Sequence, residues 1–347
     1  MNNIVQTISK AKALFVDDTT IYIARGYSIY RSADNGNIWI LDGKIKDRKN
    51  AFLSLFSRLI NRALRLEVSS MLILKDGTRI VSAKKGIFVA ARGSSEYIKT
   101  FDIIRGNKPM NICQHRDGTL YFGEYFLNGK YIDNTRKEVK IYKSSNSGQS
   151  WEVCYTFPKD TIRHIHGIFY DKYTDSIWVT TGDRDNESII ANSTDDFKTL
   201  NIVKSGSQKY RAVTLLFYED YIVYGTDTEH EINYIYSFER NSLKEECLQE
   251  LQGSVLMATQ VGDRAAISTA VEPSVINEQT DAHIWFTKNG LQWEDIYCVE
   301  KDKYSFKYFQ YGRITFPENS ISDNQIIFSG HALNNIDNKI VYIKYDL

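Results

Sequence analysis

The sequence predicts an all-β fold, a seven-bladed β-propeller closed by its N-terminal strand and carrying one helical insertion. Three observations predict it: short β-rich runs recur along the chain, turns rich in Asp, Asn and Gly separate them, and the repeating unit is about 50 residues long. Aromatic residues make up 13% of the chain, a bias typical of pleated strands. We therefore expect a single domain over residues 1–347.

The clearest repeat unit lies at residues 110–157, where NICQH, TLYFGEY, VKIYKS and WEVCYTF read as four strands. Other units begin near residues 13, 68, 164, 212, 254 and 309. The last unit ends in VYIKYDL and lacks a fourth strand, while the N-terminal run at 3–8 belongs to no unit. We expect this run to complete the last unit, because a closed ring leaves no free sheet edge.

Bulk charge and cysteine usage exclude several classes of function. Lys plus Arg and Asp plus Glu number 43 each, so no net field attracts nucleic acid, and no nucleic-acid recognition motif occurs. The four cysteines are far apart and form no C-x-x-C pair, which predicts free thiols. The N-terminus lacks the apolar core of a signal peptide, so we expect a cytoplasmic location.

One segment interrupts the repeat, an insertion at 46–66 with the sequence KDRKNAFLSLFSRLINRALRL. Its apolar residues recur at helical spacing, and six of its other residues are cationic. We expect a helix packed on the tops of the blades. Two further interpretations stay open: a lid over the site, or a basic amphipathic surface that contacts an anionic membrane.

Four turns share parts of a Ser-x-Asp-x-Gly-x-x-Trp motif between the third and fourth strands of their units. The motif is complete at 32–39 (SADNGNIW), has Asn for Asp at 144–151 (SSNSGQSW), and decays at 193–200 (STDDFKTL) and 287–293 (TKNGLQW). Asp or Asn can accept bonds from the amides of its own turn, Gly suits a positive φ, and Trp can fill the gap between blades.

These turns resemble the Asp-box (BNR) repeat of the sialidase-like superfamily. The resemblance implies a propeller nearer to seven-bladed glycosidases and polysaccharide lyases than to true sialidases, whose Phe/Tyr-Arg-Ile-Pro segment is missing here. It implies little about activity, because the boxes of that family lie opposite its usual active site.

Candidate site residues follow from the geometry of a propeller. The innermost strand of each blade starts, and the second strand ends, at the same rim of the central channel. Polar residues at these positions converge on one pocket. They are Arg25, Lys84, Glu124, Tyr125, His164, His166, Asp183, Arg211, Asp227, Glu272 and His331. His164 and His166 are two residues apart on a strand, so their side chains share a face.

This set predicts a carbohydrate-active propeller, a glycosidase or polysaccharide lyase acting on an acidic or deoxy-sugar glycan. The expected catalytic residues are Glu124, His164, His166, Asp183 and Asp227. The expected substrate-binding residues are Tyr125, Arg163, Arg211 and His331. No cofactor is expected, although a metal at the His164–His166 pair stays open. The alternative is a non-catalytic scaffold that binds a glycan or a protein.

Overall fold

The computed structural model describes residues 5–17, 19–129, 135–322 and 324–344, with only the backbone described for 5–9. Residues 3 and 4 of the predicted N-terminal strand lie outside this part of the chain. The described residues are mostly β-strand, and three short α-helices occur among them.

The strands pair into antiparallel sets of four, which we number in chain order. Set 1 is β2–β5 (Lys12–Val16, Ile21–Arg25, Ser28–Ser32, Ile40–Ile45). Set 2 is β6–β9 (Ser70–Ile73, Arg79–Ala83, Gly86–Ala90, Glu96–Asp102). Set 3 is β10–β13 (Cys113–Gln114, Leu120–Gly123, Val139–Ser144, Glu152–Phe157). Set 4 is β14–β17 (His164–Asp171, Ser176–Gly182, Ile189–Ser193, Asn201–Ser205).

Three further sets complete the described strands. Set 5 is β18–β21 (Leu216–Phe217, Tyr221–Gly225, Asn233–Glu239, Glu245–Leu251). Set 6 is β22–β25 (Val255–Val261, Arg264–Val271, Asp281–Thr287, Glu294–Glu300). Set 7 is β26–β28 with β1 as its fourth strand (Gly312–Thr315, Gln325–His331, Ile340–Lys344, Val5–Ser9).

The first strand of the chain therefore pairs with the last. β1 runs antiparallel to β28, with Val5 opposite Ile343 and Thr7 opposite Val341. Sets 1 and 2 also join through a short parallel contact between β5 and β9, and sets 6 and 7 join through β23 and β26. The result is a nearly closed ring of sheets.

Apolar clusters fill the spaces between neighbouring sets. Each cluster takes buried side chains from two consecutive sets, as where Ile168 and Val179 of set 4 pack with Tyr121 and Ile141 of set 3. A further cluster joins Ile23 of set 1 to the residues of set 7 around the ring. Each sheet thus buries both faces against its neighbours, and the hydrophobic effect holds the ring together.

The four Asp-box-like turns share one hydrogen-bonding pattern. In the first, the Gly36 amide donates to Ser32 Oγ at 2.9 Å and the Ile38 amide donates to Asp34 Oδ1 at 2.9 Å. Equivalent bonds form in the turns that begin at Ser144, Ser193 and Thr287. The motif therefore stabilises the turn locally, at the end of the ring opposite the connections between sets.

We call the rim face the side of the ring that carries two kinds of connection: from the second to the third strand of a set, and from one set to the next. The insertion lies on this face. It forms two helices, α1 (Arg48–Leu53) and α2 (Arg58–Leu64), where one helix was expected. Ser57 caps α2 by accepting the Ile60 amide at 3.3 Å, so a new helix begins there.

In the alternative interpretation of the insertion as a basic membrane-facing surface, two of its cations are already engaged within the protein. Arg62 is 1% exposed and pairs with Asp302. Arg58 pairs with Glu67 at 2.7 Å and with Asp337 at 2.8 Å. These ion pairs tie α2 to set 7. No helix among the described residues has the length and apolar character needed to cross a membrane.

Candidate functional site

Three predicted residues of set 4 converge on one point of the rim face. His164 Nε2 lies 3.1 Å from His166 Nε2 and 3.1 Å from Asp183 Oδ1. His166 Nε2 lies 3.2 Å from the same oxygen. A β-bulge at His166 interrupts the β14–β15 register, and Asp183 directly follows β15. All three side chains are buried, and we call them the His–His–Asp cluster.

Backbone carbonyls from both neighbouring sets orient the two imidazoles. His164 Nδ1 lies 3.2 Å from the Phe126 carbonyl, and His166 Nδ1 lies 3.2 Å from the Ala212 carbonyl. A carbonyl only accepts, so each Nδ1 must carry the proton that it donates. The second nitrogen of each neutral ring then presents a lone pair to the centre of the cluster.

Two arginines surround Asp183. Arg163 Nη1 donates to Asp183 Oδ2 at 2.7 Å. Arg211 Nη2 lies 3.6 Å from Asp183 Oδ1, and its Nη1 donates to Glu229 at 2.8 Å. Although burial favours the protonated acid, contact with the two histidines in their protonated form would hold the pKa of Asp183 well below its ordinary value. Burial lowers the pKa of His164 although the neighbouring Asp183 carboxylate opposes this, and a lowered pKa favours the neutral ring.

Beside the arginines lies an acidic patch formed by Asp227, Glu229 and Glu272. Asp227 is buried, 3.5 Å from Arg211 Nε. Burial raises the pKa of Asp227 despite Arg211. Burial, reinforced by the charges of Asp227 and Glu229, raises the pKa of Glu272 to about 8. This raised pKa favours the protonated form of Glu272 at neutral pH.

Sets 1, 2 and 7 hold a second charged group on the other side of the ring. The Glu67 carboxylate contacts His331 Nδ1 at 2.8 Å, Arg58 at 2.7 Å and Arg313 at 3.7 Å. Burial, followed by the charge of Arg313, lowers the pKa of His331 to about 3, so this ring is neutral. His331 is thus a member of this group and not of the His–His–Asp cluster.

Lys12, Lys108 and Arg313 form a cationic patch beside Glu67. Burial lowers the pKa of Lys12 to about 8, although Glu67 opposes it. Burial, then the charges of Lys12 and Arg313, lowers the pKa of Lys108 to about 7. Lys12 Nζ donates to the Ser69 carbonyl at 2.9 Å, whereas Lys108 has no hydrogen bond or ion pair to any described residue.

Several predicted residues do not reach the His–His–Asp cluster. Glu124 binds Arg105, with Nε donating to Oε1 at 2.9 Å, and accepts the Lys140 amide at 2.9 Å. Within the described residues its carboxylate contacts none of the three cluster side chains. Arg25 stacks on Tyr30 and Trp39, and Lys84 donates to the Leu64 carbonyl at 2.7 Å. The described contacts of Glu124, Arg25 and Lys84 are therefore with residues other than the three cluster side chains.

Tyr125, Arg163, Arg211 and Asp227 do lie close to the cluster. The Tyr125 ring is centred 4.3 Å from the His164 ring and is 37% exposed, so it forms the outer surface of the site. Sequence reasoning missed Lys12, Lys108, Glu67 and Glu229. Lys12 is the first residue of an innermost strand, so its place in the repeat could have identified it. Lys108 and Glu67 lie in connections between strands, where the repeat gives no equivalent position.

Large apolar side chains are exposed on the same rim face as these charges. The four most exposed large apolar residues described are Leu55, Ile104, Leu127 and Val275, at 80%, 88%, 82% and 86%. Each lies in a connection on this face, and together they come from different sides of the ring. Exposed apolar groups gathered on one face are typical of an interaction surface.

No known protein family and no curated protein matches this sequence. Solved structures do match along the whole chain. One is YCF48 bound to D1 peptide, with a TM-score of 0.59 at 11% identity, covering 100% of this chain and 98% of that one. Another is the extracellular domain of the hybrid two component system BT4673 from B. thetaiotaomicron, with a TM-score of 0.59 at 11% identity. That match covers 99% of this chain and 40% of the other.

The fold is a β-propeller. A chain of the mitotic checkpoint complex also matches, with a TM-score of 0.53 at 9% identity over 99% of this chain and 94% of that one. Identities this low show the fold alone. A propeller brings residues from every blade to one rim, which explains why the His–His–Asp cluster and the cationic patch, far apart in the sequence, both lie on the rim face.

Proposed function

We propose that this protein is a non-catalytic binding propeller whose rim face holds a protein segment with an acidic group. The observation that carries the proposal is the cationic patch of Lys12, Lys108 and Arg313 on a rim face that also exposes large apolar side chains, which we call the apolar surround. The acidic group would enter the patch, and apolar side chains of the same segment would cover the surround.

Charge favours an anionic ligand at the patch. Its three cations face Glu67, which already binds Arg58 and His331. The lowered pKa values of Lys12 and Lys108 mean that burial makes their charged forms costly. A ligand carboxylate would restore the lost solvation with charge-assisted hydrogen bonds.

The surround favours a peptide over a sugar chain. Leu55, Ile104, Leu127 and Val275 are aliphatic, and aliphatic side chains pack well against apolar peptide side chains. Sugars instead stack on aromatic faces such as that of Tyr125, which lies beside the cluster. YCF48, which is similar in fold and length, was solved with a bound peptide, and this supports the same class of ligand here.

The contacts of the predicted catalytic acids also support binding. Arg105 neutralises Glu124, and Asp183 is engaged by Arg163 and the two histidines. A second candidate function remains the cleavage of an acidic glycan. The raised pKa of Glu272 favours it, because a general acid must hold its proton at neutral pH.

Two finer proposals concern the fold. We infer that the seven sets are seven blades of one propeller domain closed by β1, which the interface between sets 7 and 1 supports. We also infer that the four turns derive from an Asp-box repeat, as in sialidase-like propellers. Their shared hydrogen bonds support this origin.

The test of the binding function uses an array of random dodecapeptides, each acidic peptide paired with its Asn/Gln counterpart. We expect acidic apolar peptides to bind and their neutral counterparts to bind about 10-fold more weakly or worse, as for loss of a desolvated ion pair. Fluorescence polarisation then compares Lys108→Ala, which should weaken binding similarly, with Lys198→Ala on the opposite face, which should not.

Acidic oligosaccharides, such as oligogalacturonides and sialyllactose, are incubated with the wild type in parallel. Cleavage that Glu272→Gln abolishes would favour the second candidate. The proposed recognition would be overturned if peptides bound equally well with and without the acidic group, and equally well to the wild type and to Lys108→Ala.

A further inference from the structure

We propose that His164, His166 and Asp183 bind one divalent transition-metal ion of the Zn²⁺ class. Three potential ligand atoms, His164 Nε2, His166 Nε2 and Asp183 Oδ1, form a nearly equilateral triangle with edges of 3.1, 3.1 and 3.2 Å. These residues also form the group among the described residues whose ligand atoms lie close enough together to hold a metal.

The protonation pattern of the two histidines places three lone-pair-bearing atoms around one point, where a positive charge would stabilise them. Both Nδ1 atoms face carbonyls and so hold the ring protons, which leaves lone pairs on the two Nε2 atoms. Asp183 Oδ1 adds the lone pairs of a carboxylate. Three lone-pair-bearing atoms at this spacing repel one another unless a cation lies between them.

The spacing suits a metal ion of the expected size. An ion about 2.1 Å from each of the three atoms would subtend ligand angles of roughly 95–100° across the observed edges. This range lies between octahedral and tetrahedral geometry, so first-row ions that tolerate both are suited. Two imidazoles and one carboxylate are ligands that Zn²⁺ and Fe²⁺ accept, whereas Mg²⁺ and Ca²⁺ prefer oxygen.

All three ligands already have the outer partners that metal ligands usually have. The Phe126 and Ala212 carbonyls orient the histidines, and Arg163 holds Asp183 Oδ2 at 2.7 Å, leaving Oδ1 for the metal. Arg211 lies 3.6 Å from Oδ1 and opposes a cation, but Asp227 and Glu229 both offset its charge.

Gly182 allows the His166 ring to pack close to the backbone that leads into Asp183. A Cβ atom at position 182 would lie 2.3 Å from His166 Cε1, so only glycine lets the ring reach this position. Gly182→Ala therefore displaces a ligand without removing one, and it distinguishes the geometry of the cluster from its composition.

The test measures Zn²⁺ binding to chelator-treated full-length protein by isothermal titration calorimetry, with the metal content determined by mass spectrometry. We expect one ion per chain, and no heat at this site with Mg²⁺ or Ca²⁺. His164→Ala, His166→Ala and Asp183→Asn should each raise Kd about 100-fold or more, because each removes a direct ligand. Gly182→Ala should also raise Kd.

The matched control is His283→Ala, a histidine on strand β24 that contacts Asp295 and lies outside the cluster. It should bind Zn²⁺ as the wild type does. Circular dichroism of each metal-free variant shows whether it is folded, and the absorption spectrum of the Co²⁺-loaded wild type reports histidine ligation without any variant.

Two results would overturn the proposal. One is a wild type without stoichiometric Zn²⁺ binding below millimolar concentration, in which case a shared proton supplies the positive charge. The other is a Kd that His283→Ala changes as much as the cluster variants do. Peptide binding at the cationic patch is measured separately, so failure of either proposal leaves the other intact.

Discussion

Single residues decide how closely the groups at the rim approach one another. Gly182 makes room for His166, as described above. In the third Asp-box-like turn, Phe197 has a positive φ of 62° at the position where each of the other three turns has a glycine with a positive φ. Its ring is buried against Tyr121 and Tyr155, which compensates for the missing Trp. The turn therefore keeps its form although its motif has decayed.

Glu272 predicts a pH dependence of stability. Its pKa is raised by burial and then by Asp227 and Glu229, to about 8, from an ordinary value of 4.5. Above pH 4.5 the unfolded chain releases this proton while the folded state still holds it. The group therefore costs stability increasingly as pH rises, until the folded carboxyl also titrates near pH 8.

We expect Glu272→Gln to match the wild type in urea unfolding near pH 5 and to be more stable at pH 8.5, because glutamine resembles the protonated acid. Glu219→Gln, at an exposed turn, is the control and should change neither value. A constant difference between Glu272→Gln and the wild type across this pH range would contradict the assignment.

At the scale of the elements, helix α2 is held largely by charge, since Arg62 is its buried residue. Arg62 Nε donates to the Phe309 carbonyl at 2.8 Å, and its guanidinium also pairs with Asp302. Gln310 returns a bond from its Nε2 to the Arg62 carbonyl at 2.6 Å. Helix α2 therefore docks on the connection that contains α3 (Phe306–Phe309).

Arg62→Ala should lower the free energy of unfolding by about 3–5 kcal/mol, because it leaves Asp302 and a buried carbonyl without their partner. The measurement is urea denaturation followed by circular dichroism. Lys49→Ala in α1 is the control, because it also removes a cationic side chain from a helix of the insertion. Lys49 is exposed, so this change should alter the free energy of unfolding by less than about 0.5 kcal/mol. Equal losses in the two variants would disprove the docking role of Arg62.

At the scale of the whole molecule, β1 joins the two ends of the chain. It covers the edge of β28, and the cluster between sets 7 and 1 packs beneath this junction. An uncovered β28 would present unpaired backbone groups to another chain. Closure is thus a source of both stability and solubility.

Deletion of residues 1–9 should lower the melting temperature and promote association, measured by light scattering after gel filtration. A synthetic peptide of residues 1–10 should restore the monomer by pairing with β28, whereas a scrambled peptide should not. A deleted protein that stays monomeric and melts like the wild type would argue against closure by β1.

Much of the architecture was predictable because it rests on local patterns. Alternating apolar residues mark the strands, and the predicted unit starts lie close to innermost strands such as β14 and β22. The Asp-box-like turns bond within themselves. His164 and His166 lie two residues apart on one strand, and the alternation of side chains along a strand predicted that they share a face. The sequence alone therefore determined a propeller and the two histidines of the His–His–Asp cluster.

The tertiary structure alone decided which charges meet. Arg58 and Asp337 pair although they lie 279 positions apart in the sequence. Glu124, predicted to face the cluster, instead pairs with Arg105. Lys108, which has no hydrogen bond or ion pair among the described residues, lies beside Lys12 and Arg313 and has no signature in the repeat. Long side chains from several sets reach the same rim, and their partners depend on distances around the ring that no local pattern of residues specifies.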